Sequence, residues 1–323
     1  MAQEFRHLFS PIKIGTMTVP NRIYSSPHHP LYTDIRVGLP NERIINYWVG
    51  KARGGVGMIG TYLTEVHALP ERDVFCRPGA VDAFRMAADA LHRYGAKIIC
   101  QVAHSGGQGS GATVANWAPS AIPIPNSKME WHVPHEMTVN EVKETVAAYA
   151  RAAAIAKTAG CDGVGIHGAH GYLVSEFMSP YFNRRTDEYG GSLENRMRFP
   201  LEIINAVRDE VDEDFVVGMR ANAEEFVDGG YTLDDFLQMA PMLAGTGKLD
   251  YLNISVGTYI STATVIDPMY FPIDSFVYCA AAVKQVIDIP VTKVVAYGWY
   301  DNEMGGYVHT LTDRTVSIAS MLE

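Results

Sequence analysis

The residues best suited to chemistry in this chain lie in one short run, His167-Gly-Ala-His-Gly-Tyr172. Two imidazoles side by side can donate to one developing oxyanion. A lone histidine at a strand end is usually a satisfied structural group, but His167, His170 and Tyr172 together read as a site. Gln101 and Arg220 stand at comparable places elsewhere in the chain. A carboxamide both donates and accepts, which suits a heterocycle alternating C=O and N–H. A fixed cation suits an anion forming on such a ring, although a structural ion pair is the competing reading of Arg220. Neither a hydrolytic triad nor the paired carboxylates of a glycosidase occupy these positions. A zinc site from His104, His167 and His170 is conceivable, but no HExxH-like spacing supports it, so no metal is expected.

The elements that must position these groups alternate. Short β-branched runs predict strands at Arg22–Ser26, Val56–Tyr62, Lys97–Ala103, Gly163–His167, Phe215–Ala221, Tyr251–Val256 and Val291–Ala296. Helical stripes intervene, one of Val142, Val146, Tyr149, Ala153 and Ala156, another of Ile203, Ile204, Val207 and Val211. Gly95 and Gly160 fall where helices should end. Strand–helix alternation with strands apolar on both faces predicts an α/β fold with a parallel sheet, a (β/α)8 TIM barrel incomplete or irregular at strands seven and eight. Polar residues at the C-terminal strand ends then face the site: Ser25-Ser26-Pro27-His28-His29, Gln101 and His104, His167 to Tyr172, Arg220 and Asn222, Asn253 and Ser255. One long irregular insert, Ser105–Met137, follows the third strand, where a functional loop or lid belongs.

Composition excludes several classes. The chain has 323 residues, 47% hydrophobic, with a net charge of -10 and no basic run. That argues against nucleic acid as a partner and for a small-molecule substrate. No apolar run is long enough to predict a membrane span, and no signal peptide is visible, so a cytoplasmic location is expected. Cys76, Cys100, Cys161 and Cys279 form no CxxC pair and read as buried free thiols. A homo-oligomer is compatible with all of this.

The central run, continued by Phe177-Met-Ser-Pro180 and by Asn183-Arg-Arg-Thr-Asp-Glu-Tyr-Gly-Gly-Ser-Leu-Glu-Asn-Arg196, resembles the old yellow enzyme superfamily. So do the opening Leu8-Phe9-Ser10-Pro11-Ile12-Lys13-Ile14-Gly15 and Pro20-Asn21-Arg22. The likeness runs from about residue 8 to 291 and is nearest to the branch of trimethylamine dehydrogenase, 2,4-dienoyl-CoA reductase and N-methyl amino acid demethylases. It implies an FMN-dependent oxidoreductase using NAD(P)H. Pro27, His28 and His29 would line the flavin, Gln101 would bind its pyrimidine edge, and Arg220 would sit near N1 and O2. His167 and His170 would hold a substrate carbonyl, and Tyr172 would protonate the adjacent carbon of an activated alkene. Within the 183–196 stretch, Ser192 is expected to cap a helix opening at Leu193.

Departures from the family pattern set further expectations. His29 stands where relatives that tie flavin covalently carry cysteine, so FMN should be non-covalent. From Thr292 the Gly-Arg pairs that grip phosphate in the family are missing, which predicts weak FMN binding. Lys293-Val-Val-Ala-Tyr-Gly-Trp-Tyr-Asp-Asn-Glu303 and Met304-Gly-Gly-Tyr307 resemble instead the C-terminal segment of glyceraldehyde-3-phosphate dehydrogenase, with a helical pattern at Val308, Leu311, Thr315, Ile318 and Leu322. Asn302 reads as a turn residue. The expected organisation is an FMN-binding barrel over 1–291 and a divergent tail over 292–323 that completes or caps it. Tyr62, Trp117, Trp131 and Tyr259 are candidates for a substrate cavity. Ene-reduction is the leading function. A flavin amine dehydrogenase or N-demethylase is an alternative, disfavoured because His167 stands where trimethylamine dehydrogenase uses tyrosine. An incomplete barrel without cofactor or activity is a third.

Overall fold

The computed structural model describes residues 6–30, 32, 38–109, 116–125, 131–265, 271–272 and 275–293. Seven strands lie side by side in chain order: β1 (Tyr24–Ser25), β2 (Met58–Gly60), β3 (Lys97–Ala103), β4 (Gly163–Gly168), β5 (Val216–Asn222), β6 (Tyr251–Ser255) and β7 (Val291–Lys293). Every neighbouring pair is parallel. The crossovers carry α1 (Glu42–Arg53), α2 (Ala80–His92), α3 (Val139–Thr158), the short α4 (Leu173–Met178) with α5 (Leu193–Glu210), α6 (Leu233–Ala244), and α7 (Thr262–Val265) with α8 (Val277–Val286). The sheet is a curled, open half-barrel, as expected. Among the described residues β1 and β7, its two ends, do not pair with each other.

The strands are buried on both sides, and period-2 alternation separates two environments. Ile59, Ile98, Cys100, Val102, Val164, Ile166, Val217, Met219, Leu252 and Ile254 pack outward against the helices. Met58, Ile99, Val216 and Tyr251 point the other way and meet Ile14, Met17 and Val19 from an antiparallel hairpin, Ile12–Ile14 with Met17–Val19. Burying each such side chain contributes roughly 1.5–3 kcal/mol. The hairpin thus closes the apolar end of the barrel. One register further along the same face come Gly60, Gln101, Gly165, Gly218 and Asn253, and one further still His167, Arg220 and Ser255. The interior therefore grades from apolar at the strand starts to polar at the strand ends.

Local signals behave as the sequence suggests. Ser192 accepts from the Asn195 N–H at the start of α5, and Thr138 forms a capping box with Glu141 on α3. Gly95 and Gly160 take φ of 75° and 85° just past α2 and α3. The first strand is shorter than predicted because Asn21 Oδ1 accepts from Ile23 N–H, a turn that delays pairing until Tyr24. The insert after β3 is also more ordered than its composition implied. Trp117–Ala118 pairs with His135–Glu136, and Ile124–Pro125 with Trp131–His132. Three cysteines are buried, but Cys76 is exposed. It ends a turn that Asp73 caps and that directs Val74 and Phe75 inward, leaving the third residue outside.

The described chain runs across the expected 291/292 boundary within β7. Val294–Ala296 of the seventh predicted strand lie outside the described residues. So do Asn302 and the final helix predicted for the tail. No helix among the described residues is long and apolar enough to cross a membrane.

Candidate active site

At the end of β4 the chain turns sharply. His170 and Gly171 are both left-handed, with φ of 62° and 74°. Such a φ is uncommon for a residue with a side chain and costs on the order of 1–3 kcal/mol. The Gly171 N–H donates to Ser175 Oγ at 2.9 Å, and Tyr172 becomes the residue before α4. This turn brings the three sequence candidates together. The His167 ring centroid lies 5.2 Å from that of His170 and 5.0 Å from that of Tyr172.

Their protonation states follow from burial. Enclosure, and then the nearby charge of Arg220, holds His167 well below the usual histidine pKa, so the ring is neutral at pH 7. Its Nδ1 is buried without a partner among the described residues. His170 Nε2 lies 2.7 Å from Ser255 Oγ, the tautomer setting which of the two donates. Burial pushes the Tyr172 phenol well up, and the Tyr259 phenol adds to the shift. Tyr172 therefore keeps its proton, and its hydroxyl touches that of Tyr259 at 2.7 Å.

Arg220 on β5 is in register with His167. Its Nη1 donates to the Pro27 carbonyl at 3.2 Å and its Nη2 to Ser255 Oγ at 3.3 Å, which ties β5 across to the end of β1. Burial lowers its pKa to about 10, which leaves it charged at neutral pH. The ion-pair reading fails, since no carboxylate pairs with it among the described residues. Gln101, two strands away, is buried with Oε1 unpartnered, and Arg220 Nε is likewise buried and unpartnered. An orphaned acceptor, an orphaned donor and a positive charge at one barrel mouth fit a planar heterocycle carrying N–H and C=O groups, as the isoalloxazine of FMN does.

The strand-one candidates separate. Pro27 is buried, and its ring sits where a Cβ on Gly60 would otherwise go. His28 is turned to α1, with Nε2 at 2.5 Å from Tyr47 Oη and 3.4 Å from Lys51 Nζ. His29 packs its ring 5.0 Å from Tyr62. Of the proposed cavity aromatics only Tyr259 joins the cluster of His167, His170 and Tyr172. Tyr62 stacks on Trp48 in the core, Trp117 packs on His67, and Trp131 is 59% exposed on the insert. His104 packs on His67, and its Nδ1 accepts from the Gly106 N–H. It does not complete a three-histidine set with His167 and His170, and no metal-holding group of three such side chains exists among the described residues. Asn222 is committed to the Gly257 carbonyl at 2.6 Å. Gln108, from the insert, reaches the His170 loop and carried no signal in the sequence.

Strand order, the polar barrel mouth and the orphaned groups fit the flavin-dependent oxidoreductases of old yellow enzyme type. The chain belongs to the NADH:flavin oxidoreductase / NADH oxidase family, whose model matches residues 7–304. That match runs past residue 291 into the first part of the tail. The chain is 41% identical over 298 residues to an NADH oxidase of Thermoanaerobacter brockii, covering 90% of this chain and 45% of the relative. It is 34% identical over 308 residues to an N,N-dimethylglycine/sarcosine dehydrogenase of Chromohalobacter salexigens, covering 89% and 42%. Among solved structures, a 2-naphthoyl-CoA reductase complex with 2-naphthoyl-CoA superposes with a TM-score of 0.83 at 28% identity, covering 90% of this chain and 46% of that one. The chain spans about half the length of these relatives.

Proposed function

We propose that this chain reduces activated alkenes, an ene-reductase reading in which residues 1–291 hold FMN non-covalently and 292–323 complete or cap the barrel. The observation that carries it is the convergence of a neutral His167, His170 and a protonated Tyr172 beside Arg220, which pairs with no carboxylate among the described residues. When bound, FMN supplies the hydride, having been reduced by NAD(P)H. Gln101 and Arg220 would hold its polar edge, Pro27 would bound it on the β1 side, and His28 and His29, whose rings meet Tyr47 and Tyr62, would support that loop. His167 and His170 orient the substrate's carbonyl and donate to the negative charge that grows on its oxygen. Tyr172 gives its proton to the carbon adjacent to that carbonyl. The resemblance to 2-naphthoyl-CoA reductase supports a conjugated carbonyl substrate.

The dimethylglycine/sarcosine dehydrogenase relative favours the second reading, oxidation of a methylated amine. Electrostatics favours the first. The fixed charge at the mouth is positive and has no carboxylate partner among the described residues, so it opposes an ammonium and assists an oxyanion. Anaerobic protein loaded with FMN and reduced with NADH or NADPH decides the matter. Reoxidation of the flavin by 2-cyclohexen-1-one supports ene-reduction. Bleaching of the oxidised, FMN-loaded protein by sarcosine or dimethylglycine, with no reoxidation of the reduced protein by the enone, refutes it.

A further inference from the structure

One polar side chain of the insert is sunk between the two loops that carry the touching phenols. Gln108 ends the short turn Gly106–Gln108 and is 3% exposed. Its Nε2 donates to the His170 carbonyl at 2.8 Å, and its Oε1 accepts from the Tyr259 N–H at 3.3 Å. The carboxamide is thus used at both ends, once for the β4–α4 loop and once for the loop after β6. A Cβ built on Gly171 would lie 3.0–3.2 Å from the same carboxamide, so Gln108 also fills the space that this glycine leaves. His170 pairs in parallel with Thr258 across the seam that Gln108 spans. The turn is anchored in its own right, since the Gly107 N–H donates to Glu176 Oε1 at 2.9 Å.

We propose that Gln108 is a positioning residue for proton delivery, its carboxamide clamping the His170 and Tyr259 loops so that the Tyr172 and Tyr259 hydroxyls stay in contact. The inference rests on the reading of Tyr172 as the proton donor. A neutral amide is the group the seam requires, one donor facing a carbonyl and one acceptor facing an N–H. Leucine keeps the bulk but strands both backbone groups, each at a cost of about 1–3 kcal/mol. That cost is relieved by letting the loops part, and a misplacement of about 1 Å at a reacting group slows a step by about 100-fold. Ionised glutamate loses the donor and faces the His170 carbonyl with negative charge, whereas protonated glutamate restores it.

The two half-reactions of the FMN-loaded protein separate this role from a general structural one. In Gln108→Leu, FMN content and the rate of flavin bleaching by NAD(P)H stay within about twofold of the parent, while reoxidation by 2-cyclohexen-1-one slows by about 10–100-fold. In Gln108→Glu, reoxidation is near the parental rate at low pH and falls as pH rises through the new carboxyl's pKa, a limb absent from the parent. Amide hydrogen exchange of the peptide containing Tyr259, followed by mass spectrometry without substrate, becomes faster in Gln108→Leu. Equal slowing of both half-reactions, an unchanged reoxidation rate, or unchanged exchange at Tyr259 would each overturn the proposal. A parent protein that reduces no enone refutes the proton-donor reading instead, and with it any role of Gln108 in proton delivery.

Discussion

Replacing Glu225 by Gln should stabilise this protein at alkaline pH and leave it unchanged in acid. Glu225 lies in the loop after β5, fully buried, with Oε2 accepting from Ser179 Oγ at 2.6 Å and from the Tyr231 N–H at 3.0 Å. Its other oxygen has no partner among the described residues. Burial raises its pKa from 4.5 to about 8, partly offset by the Ser179 bond. A carboxyl whose folded value lies above its unfolded value is held protonated by the fold. The stability associated with that proton is complete below about pH 4.5 and is lost as pH rises toward about 8. The full loss is on the order of 5 kcal/mol, a ceiling set by 1.36 kcal/mol per pKa unit. Glutamine matches the protonated acid in shape: its carbonyl takes both hydrogen bonds and its NH2 takes the place of Oε1. Thermal and urea unfolding of the two proteins between pH 5 and 9 provide the assay. The curves should lie within about 1 kcal/mol near pH 5 and diverge by several kcal/mol above pH 8, with the glutamine protein the more stable. Glu176, also buried, is pushed well up by burial and further by Glu225, so removing the Glu225 charge also eases its ionisation, and the difference between the two proteins reports Glu225 together with its effect on Glu176. Parallel stability profiles across this range would refute the reasoning, because they would mean that Glu225 is already ionised in the fold.

Three further outcomes are expected. Tyr172→Phe should leave flavin reduction intact and slow alkene-dependent reoxidation by about 100-fold or more, read by stopped flow. Arg220→Ala removes the donors to Pro27 and Ser255 and the site's positive charge, and should weaken FMN retention on dialysis by about 10–100-fold with little loss of fold. Arg185→Ala should cost about 3–5 kcal/mol in urea unfolding and open the insert to protease. The buried guanidinium bonds the Pro119 and Met137 carbonyls at 2.9 and 2.5 Å and pairs with Asp187.

The barrel was legible because its strands are short apolar runs spaced by helical stripes, and that periodicity survives without tertiary information. The site was legible where strand parity held. Gln101, His167 and Arg220 fall on the inward phase of β3, β4 and β5 with Ile99, Gly165 and Gly218. His104 was grouped with them by its place at a strand end, yet it stands three residues beyond Gln101 and so on the opposite phase. Its ring packs at a tilt against that of His67, with centroids 4.7 Å apart. The insert was read as irregular because its ladders are two residues long, too short to leave a periodic trace. Gln108 had no signal at all, since its partners are backbone groups 62 and 151 positions away. His28 and Lys51 meet only because α1 folds back on β1, a contact that no local spacing encodes.

Flavin binding tests the account most directly. Purified protein is brought to equilibrium with FMN by dialysis, and the protein-bound flavin is measured before and after denaturation. The account predicts bound FMN, released on denaturation because His29 offers no thiol for attachment, with affinity that drops in Arg220→Ala. Protein that stays colourless at saturating FMN, or flavin that remains attached after denaturation, would contradict it.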